Sequence, residues 1–381
     1  MRMLVLGAKL QGTEVIYLAK EAGYHVTVID KDKDAPAVDL ADKYIKADIL
    51  RDSDIVKECY KKADVVFPVI EDEEVLKRAV EYGAQTDTNV IFDLEAYKIS
   101  SSKLLSNKLF EELNLPVPGK YPDCQYPVIL KPDGMSGSTN VKKAYSKEEV
   151  EAYFDKYGRE NVVVQEYLDG PSYSLEVIGD GEKFYFPQIT EVCVDASYDC
   201  NRIAAPAVIS DDIHRQMMDI GQKLAKKLKI KGIFDIEVID DNGTLKLLEI
   251  DARFPSQTPV SVYNSTGINM VKMLAELTLF GETNMKPFKK VKHCLYQQIA
   301  VRDGSVEMLG EHIIGDTSHL KRFKDFMGAD EVMAECDIKE SPANWKAIVI
   351  ITRKTEQEAI KAFNKFVDNI RLGGIYDKIS A

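Results

Sequence analysis

The sequence predicts an α/β protein built in two or three lobes, and three observations lead there. The opening alternates apolar strand, glycine-bearing turn and helix; the middle carries a strand–turn–strand unit rich in carboxylates; and 381 residues exceed what one ordinary core holds. Hydrophobic residues make up 45% of the chain and charged residues 29%, enough apolar surface for a folded core.

Met3-Leu4-Val5-Leu6 reads as a buried strand, Gly7 to Gly12 as a turn, and Thr13 to Ala22 as the helix that follows. Val26 to Asp30 is a second strand, with Asp30 where a ribose-binding acid stands in dinucleotide folds. The turn lacks the full Gly-x-Gly-x-x-Gly, because Lys9 occupies its second glycine position, which argues against NAD. Val65 to Ile70 is a later strand, with Glu71-Asp72-Glu73-Glu74 at its carboxyl end. Ligands gather at that edge of open parallel sheets, so Glu71 and Asp72 are candidates for receiving a substrate amino group. Acids stabilising a helix N-terminus are the other reading. A linker from Lys98 to Lys108 leads into a helix over Lys103–Leu113. Ser146 with Glu149 is a capping-box pattern opening the helix Lys147–Tyr157. Asp211–Lys229 is a long amphipathic helix. Strands over Tyr296–Val301 and Ala347–Thr352 and a helix over Thr355–Ile370 close the chain.

The acidic unit runs Phe234 to Ile239, turns through Asp240-Asp241-Asn242-Gly243, and returns over Leu245 to Asp251. Alternation and Asn-Gly predict a hairpin. Glu249 and Asp251 then share one face, and Glu237 on the partner strand can point at the same space. Three oxygen ligands suit Mg2+, which shares its shell with phosphates. Arg253 follows on that face, where a cation serves a developing phosphoryl charge. A solvated edge hairpin with incidental acids is the plain alternative. Upstream, the run Tyr126 to Lys131 ends in a lysine, and Pro132 to Asn140 is a loop of glycines and small hydroxyls that can wrap N–H groups around phosphate. It is not the Walker sequence.

These motifs, in this order, resemble the ATP-grasp ligases. On that resemblance Lys103, ahead of Leu115-Pro116-Val117-Pro118, is similar to the first nucleotide lysine and Lys131 to the second. Ser136, Gly137 and Ser138 match the phosphate-covering loop. Gln165, Glu166, Tyr167 and Leu168 match the hinge that reads adenine. Glu237, Glu249 and Asp251 match the magnesium acids, and Arg253 the arginine after them. Ser172 stands where the family often has a ribose-binding glutamate, and Asp251 where many members have asparagine. The resemblance implies an ATP-grasp fold with a Rossmann-like (pre-ATP-grasp) domain over 1–97 and an ATP-grasp domain over 98–293. It also implies a small mobile lid at about 115–180 and a C-terminal α+β portion over 294–381 that completes the enzyme. ATP and Mg2+ are the implied cofactors, and an ADP-forming carbon–nitrogen ligase working through an acyl phosphate is the implied activity, with Lys131 and Arg253 catalytic.

The opening Met1–Gly12, the loop Cys193–Arg202 and Arg253–Pro259 further resemble the ligases of pyrrolysine biosynthesis in methanogenic archaea. That likeness implies amide formation between the carboxylate of 3-methyl-D-ornithine and the side-chain amine of L-lysine. Glu176, Asp195 and Asp199 are candidate ammonium acceptors, Arg302 a candidate carboxylate partner, and Ser256, Gln257 and Thr258 a candidate pocket floor. Each is equally readable as an ordinary polar surface or loop residue. Another ATP-grasp amino-acid ligase or carboxylase-like enzyme shares every ATP motif, and a non-catalytic ATP-binding protein remains a further class. A formal charge of −12 disfavours nucleic acid. No apolar run reaches the roughly 18 residues of a membrane span. Six cysteines without a Cys-x-x-Cys pair, and only five histidines, point to reduced thiols and a cytoplasmic setting.

Overall fold

The computed structural model describes residues 1–135, 139–335 and 344–371. The first lobe comprises β1 (Arg2–Leu6), α1 (Leu10–Glu21), β2 (His25–Asp30), β3 (Lys43–Lys46), α2 (Ser53–Tyr60), β4 (Val65–Pro68) and α3 (Glu73–Thr86). Its four strands form a parallel sheet in the order β3-β2-β1-β4. Helices cover both faces of such a sheet, so its central strands are apolar without alternation, as the fully buried Val65–Pro68 shows. Helix α1 begins at Leu10, earlier than the expected Thr13, and takes Gly12 inside it. A Cβ on Gly12 would lie 2.5 Å from the Gly7 carbonyl oxygen, and one on Gly7 (φ +105°) would lie 2.9 Å from that of Val69. Both glycines thus serve the close approach of helix and strands. Asp30 accepts hydrogen bonds from the N–H groups of Ala8 and Asp32, each at 2.8 Å, and so fixes the turn.

Helices α4 (Leu94–Ser100) and α5 (Lys103–Glu112) lead to a small unit of β5 (Val128–Pro132), β6 (Lys142–Ala144), α6 (Lys147–Tyr157) and β7 (Val162–Glu166). The strands pair antiparallel in the order β6-β5-β7, and Val150, Tyr153 and Phe154 of α6 pack on them. The expected capping box forms with one variation. Ser146 Oγ accepts from the Glu149 N–H at 3.4 Å, while the Glu149 carboxylate reaches the N–H of Tyr145 at 2.8 Å.

The remainder comprises β8 (Ser172–Asp180), β9 (Phe184–Tyr185), β10 (Ile189–Val194), β11 (Cys200–Ala205), α7 (Asp211–Leu228), β12 (Lys231–Asp241), β13 (Thr244–Asp251), α8 (Thr258–Thr266) and α9 (Met270–Phe280). It continues through β14 (His293–Arg302), β15 (Ser305–Met308), α10 (His312–Gly315), β16 (Lys321–Lys324), β17 (Glu331–Ala334), β18 (Asn344–Arg353) and α11 (Glu356–Arg371). All eleven strands join one antiparallel sheet, ordered β13-β12-β8-β10-β11-β14-β18-β17-β16, with β9 beside β8 and β15 beside β14. Since β8 belongs here, the small unit ends before the expected boundary at 180. The β12–β13 turn has Asn242 at φ 52° and Gly243 at φ 92°, the two positive values a two-residue hairpin loop requires. Phe234, Ile236 and Val238 of β12 pack with Ile213, Met217, Ile220 and Leu224 of α7, which leaves the alternate positions Asp235 and Glu237 to the opposite face. Helix α11 covers the distal strands with Phe363, Phe366 and Ile370, and burying each such side chain contributes roughly 1.5–3 kcal/mol.

The first lobe is tied to the large sheet through α1. Glu14 is 1% exposed; its Oε1 accepts from the Tyr296 hydroxyl at 2.9 Å and its Oε2 from the Val260 N–H at 3.1 Å, in the first turn of α8. Asn269 Nδ2 donates to the Leu18 carbonyl at 2.7 Å. Burial pushes the Glu14 carboxyl from its ordinary 4.5 up to about 8, against the pull of those hydrogen bonds. The native state therefore holds this proton more tightly than the unfolded chain, and the stability gained is full below about 4.5 and lost as pH rises toward 8. A glutamine can accept from the Val260 N–H and donate to the Tyr296 hydroxyl oxygen without titrating. The melting temperature of wild type minus that of Glu14→Gln is expected to fall between pH 5 and pH 8; a difference independent of pH would show that the carboxyl does not titrate in this window.

Candidate active site

Two cross-strand rows build the acidic face. Glu176 of β8, Asp235 of β12 and Asp251 of β13 are successive partners, as are Ser174, Glu237 and Glu249. Directly paired residues project to the same side, so Glu237, Glu249 and Asp251 share a face, as the spacing predicts. A bulge after Glu237 leaves these pairs intact. Asp235 joins them, although it was not among the sequence-predicted site residues; its position two before Glu237 was the available signal. Glu176 and Asp235 are 0% and 5% exposed. Neither Glu176 oxygen, nor Asp235 Oδ1, Ser174 Oγ or Thr258 Oγ1 has a hydrogen-bond partner among the described residues.

Burial and crowding push these acids up, and the neighbouring cations pull them down. Burial, then the negative charges of Glu249 and Asp251, push Glu237 up to about 8. Burial pushes Asp251 up to about 6 despite Arg253 beside it, and Glu176 up to about 7. Burial also opposes ionisation of Glu249, but Lys131, Lys103 and Arg253 outweigh it and hold that carboxyl low. Burial lowers Lys131, with Glu249 and Glu237 pulling the other way. Arg253 bonds Asp251 at 3.1 Å and Glu71 at 2.8 Å. Glu71 also accepts from Gln11 Nε2 at 2.7 Å, so the first lobe contributes a carboxylate to the site. Among the described residues no three acids are drawn together as a ready-made metal cage; the donors share a face without closing on a point.

A cavity of 370 Å³ opens on this face. Lys103, Lys131, Gln165, Glu166, Leu168 and Ser172 line it together with Glu237, Glu249, Asp251 and Arg253. Lys103 starts α5 and donates to the Met135 carbonyl; Ser102 Oγ contacts Asp133 just past Lys131 at 3.1 Å, bringing the two lysine-bearing segments together. Ser136, Gly137 and Ser138 lie outside the described residues. In the hinge, the Glu166 carboxylate accepts from the Gly119 N–H at 3.1 Å, and the N–H groups of Glu166 and Tyr167 are given to the Gly119 and Pro127 carbonyls.

Ser256, Gln257 and Thr258 line the same cavity. Gln257 has φ 72° and ψ −52°, and the Thr258 N–H reaches the Ser256 carbonyl at 2.8 Å. This is the rare positive-φ γ-turn, a strained conformation that persists only where surroundings enforce it. The enforcing contacts include Glu311, whose Oε2 accepts from Ser256 Oγ at 2.5 Å and Gln257 Nε2 at 2.9 Å. Glu311 was not foreseen, and a lone acid in a distant loop offers no periodic signal.

Four expectations fall elsewhere. Asp72 is spent as the N-cap of α3, accepting from Glu74 and Val75 N–H groups. Arg302 ends β14 with its side chain 64% exposed, 3.7 Å from Glu307, and does not line the cavity. Glu176 lies behind the lining, enclosed in the sheet. Asp195 accepts from Ser197 and Asp199 N–H groups in its own turn. Asp199 does line the cavity, but its Oδ2 is bonded to His312 Nδ1 at 2.6 Å.

Comparison with known proteins agrees with this architecture. Residues 100–257 match the ATP-grasp domain model, and residues 3–91 match that of the PylC-like N-terminal domain. The chain is 33% identical to the 3-methyl-D-ornithine–L-lysine ligase of Methanosarcina acetivorans over 81% of its own length and 83% of that protein. With the ligase of the same name from Methanosarcina barkeri it shares 32%, covering 86% and 87%. In fold it is similar to the ADP complex of an N5-carboxyaminoimidazole ribonucleotide synthetase, with a TM-score of 0.73 at 15% identity over 100% of this chain and 98% of that one. It is also similar to an L-amino acid ligase from Bacillus licheniformis, with a TM-score of 0.68 at 15% identity over 97% of each. The chain belongs to the ATP-grasp family, in the branch that holds the 3-methyl-D-ornithine–L-lysine ligases.

Proposed function

We propose that this protein is an ATP-dependent ligase that joins the carboxylate of 3-methyl-D-ornithine to the side-chain amine of L-lysine, as the names of its relatives state of them. The observation that carries the reading is a single cavity lined by two lysines, the acidic strand face, Arg253 and the polar Ser256–Thr258 segment. Glu237, Glu249 and Asp251, an all-oxygen set on one strand face, would hold magnesium and leave room for phosphate oxygens, as this ion prefers. Bound there, it offsets the repulsion of the acids and screens the phosphate charge.

Lys103 and Lys131 neutralise the nucleotide phosphates, and the Gln165–Leu168 hinge with Ser172 frames the base and ribose. The Glu166 and Tyr167 N–H groups are engaged within the protein, so base recognition in this hinge falls to its carbonyls and to Leu168. Arg253 neutralises charge on the transferring phosphoryl group, and Glu71 with Asp251 holds its guanidinium in place. The substrate carboxylate attacks the terminal phosphorus and ADP departs. The neutral amine then attacks the acyl carbon, phosphate leaves, and the nitrogen sheds a proton. Catalysis is positioning and electrostatics, and the small β5–β7 unit over the cavity serves to keep water from the acyl phosphate. The five described cysteines are unbridged and no described helix is long and apolar enough to cross a membrane, which supports a cytoplasmic setting.

Incubation with 3-methyl-D-ornithine or D-ornithine, L-lysine and Mg·ATP should give the amide and ADP by mass spectrometry; ADP without amide for every acid–amine pair would overturn the substrates. Glu249→Gln should lower kcat by roughly 100-fold or more, with an unchanged circular dichroism spectrum; near-normal turnover would remove Glu249 from the metal site. Lys131→Ala should weaken nucleotide binding by about 10-fold, one lost charge-assisted contact. Calorimetric titration with a non-hydrolysable ATP analogue measures it, and unaltered affinity would place Lys131 outside the nucleotide site.

A further inference from the structure

A diamino acid that attacks through its side-chain nitrogen must present that nitrogen uncharged. Its α-ammonium keeps its charge, so it is the group a protein can grip electrostatically while the nucleophile stays free. A suitable acceptor is an anion in the cavity, held rigidly, not paired with a cation, with an oxygen left open. Asp199 also lines the cavity, but its carboxylate is paired with the His312 imidazole, whose Nδ1 lies 2.6 Å from Oδ2. Glu71 is committed to Arg253 and Gln11.

Glu311 meets each requirement. Two segments remote in sequence fix it. Ser256 and Gln257 both donate to its Oε2. On the other side the loop is latched to the β10–β11 connection, where Asp199 Oδ2 accepts from the His312 N–H at 3.2 Å and Nδ1 at 2.6 Å. Gly310 packs so closely there that a Cβ would lie 2.0 Å from the same oxygen. Glu311 lines the cavity, and its charge acts on Arg253, Cys200 and the buried Glu14. Its Oε1 has no partner among the described residues. An ionised carboxylate only accepts hydrogen bonds, and a donor ammonium forms the strong, charge-assisted kind with it.

We propose that Glu311 is the specificity-determining residue for the amine substrate, receiving its α-ammonium on Oε1 while Ser256 and Gln257 hold Oε2. The assignment rests on the ligase reading above and names the group that recognises its second substrate. It also accounts for the strained turn at Gln257: the backbone is bent so that adjacent side chains orient one carboxylate.

The test compares L-lysine with 6-aminohexanoic acid, which keeps the carboxylate and the distal amine but lacks the α-ammonium. Binding is measured by calorimetry to the full-length protein in the presence of Mg2+, a non-hydrolysable ATP analogue and D-ornithine. Glu311→Gln keeps an acceptor oxygen for the clasp and removes the charge. Wild type should bind lysine at least 10-fold more tightly than 6-aminohexanoic acid. The variant should lose 10-fold or more toward lysine, change less than two-fold toward 6-aminohexanoic acid, and bind nucleotide as before. Equal weakening toward both amines, unchanged lysine affinity in the variant, or no lysine binding by wild type each overturns the assignment. Glu311-dependent lysine binding without amide formation from any acid would instead overturn the ligase reading and leave this assignment standing.

Discussion

Everything at this site depends on packing like charges together across adjacent strands. Pairing β8 with β12 and β12 with β13 forces Glu176, Asp235 and Asp251 into one row and Glu237 and Glu249 into the next. Such a face is unfavourable by itself, as the raised carboxyls of Glu237 and Asp251 show. Arg253 bonds into the row, and Lys131 and Lys103 act on it from the neighbouring elements. Removing one partner of a buried pair typically costs about 3–5 kcal/mol, because the remaining charge is left uncompensated. The excess negative charge that remains is what a cation and a nucleotide complex would meet, so the fold stores unfavourable electrostatics where ligand binding can relieve it.

The first lobe takes part in this arrangement. Glu71, at the carboxyl end of β4, bonds the same guanidinium as Asp251. Glu14 caps the helix that follows the Ser256–Thr258 floor. A parallel sheet gathers loops at its carboxyl edge, and here that edge faces the acidic strands of the neighbouring sheet. Two architectures with different strand directions thereby converge on one arginine.

What the sequence revealed was mostly local. The Asn242-Gly243 turn, the alternation in β12 and the serine cap of α6 are set by neighbours within a few residues, and each appears as expected. The three acids could be set on one face because strand periodicity fixes which side chains share it, while Lys131 was marked by its place at the end of a strand before a glycine loop. Asp235 obeys the same periodicity and was overlooked. Arg302 and Asp72 were misplaced for a different reason: a charged residue at the end of an element can serve solvent or a helix cap as readily as a ligand, and only the packing decides. The start of α1 moved to Leu10 because glycine inside a helix is tolerated where two backbones nearly touch. Glu311 and the γ-turn at Gln257 depend on contacts spanning more than fifty residues of chain, which no local pattern encodes.

The single antiparallel sheet has a consequence for how the molecule divides. β11 pairs with β10 on one side and β14 on the other, so the ATP-binding strands and the carboxy-terminal strands form one uninterrupted ladder. Cutting the chain before His293 would strip β11 of a neighbour and bare a row of backbone amides and carbonyls, the kind of raw margin that draws strands from other molecules. The last quarter of the protein thus acts as a selvedge: it keeps the woven part from fraying or sticking to its own copies, while its loop reaches back to the cavity.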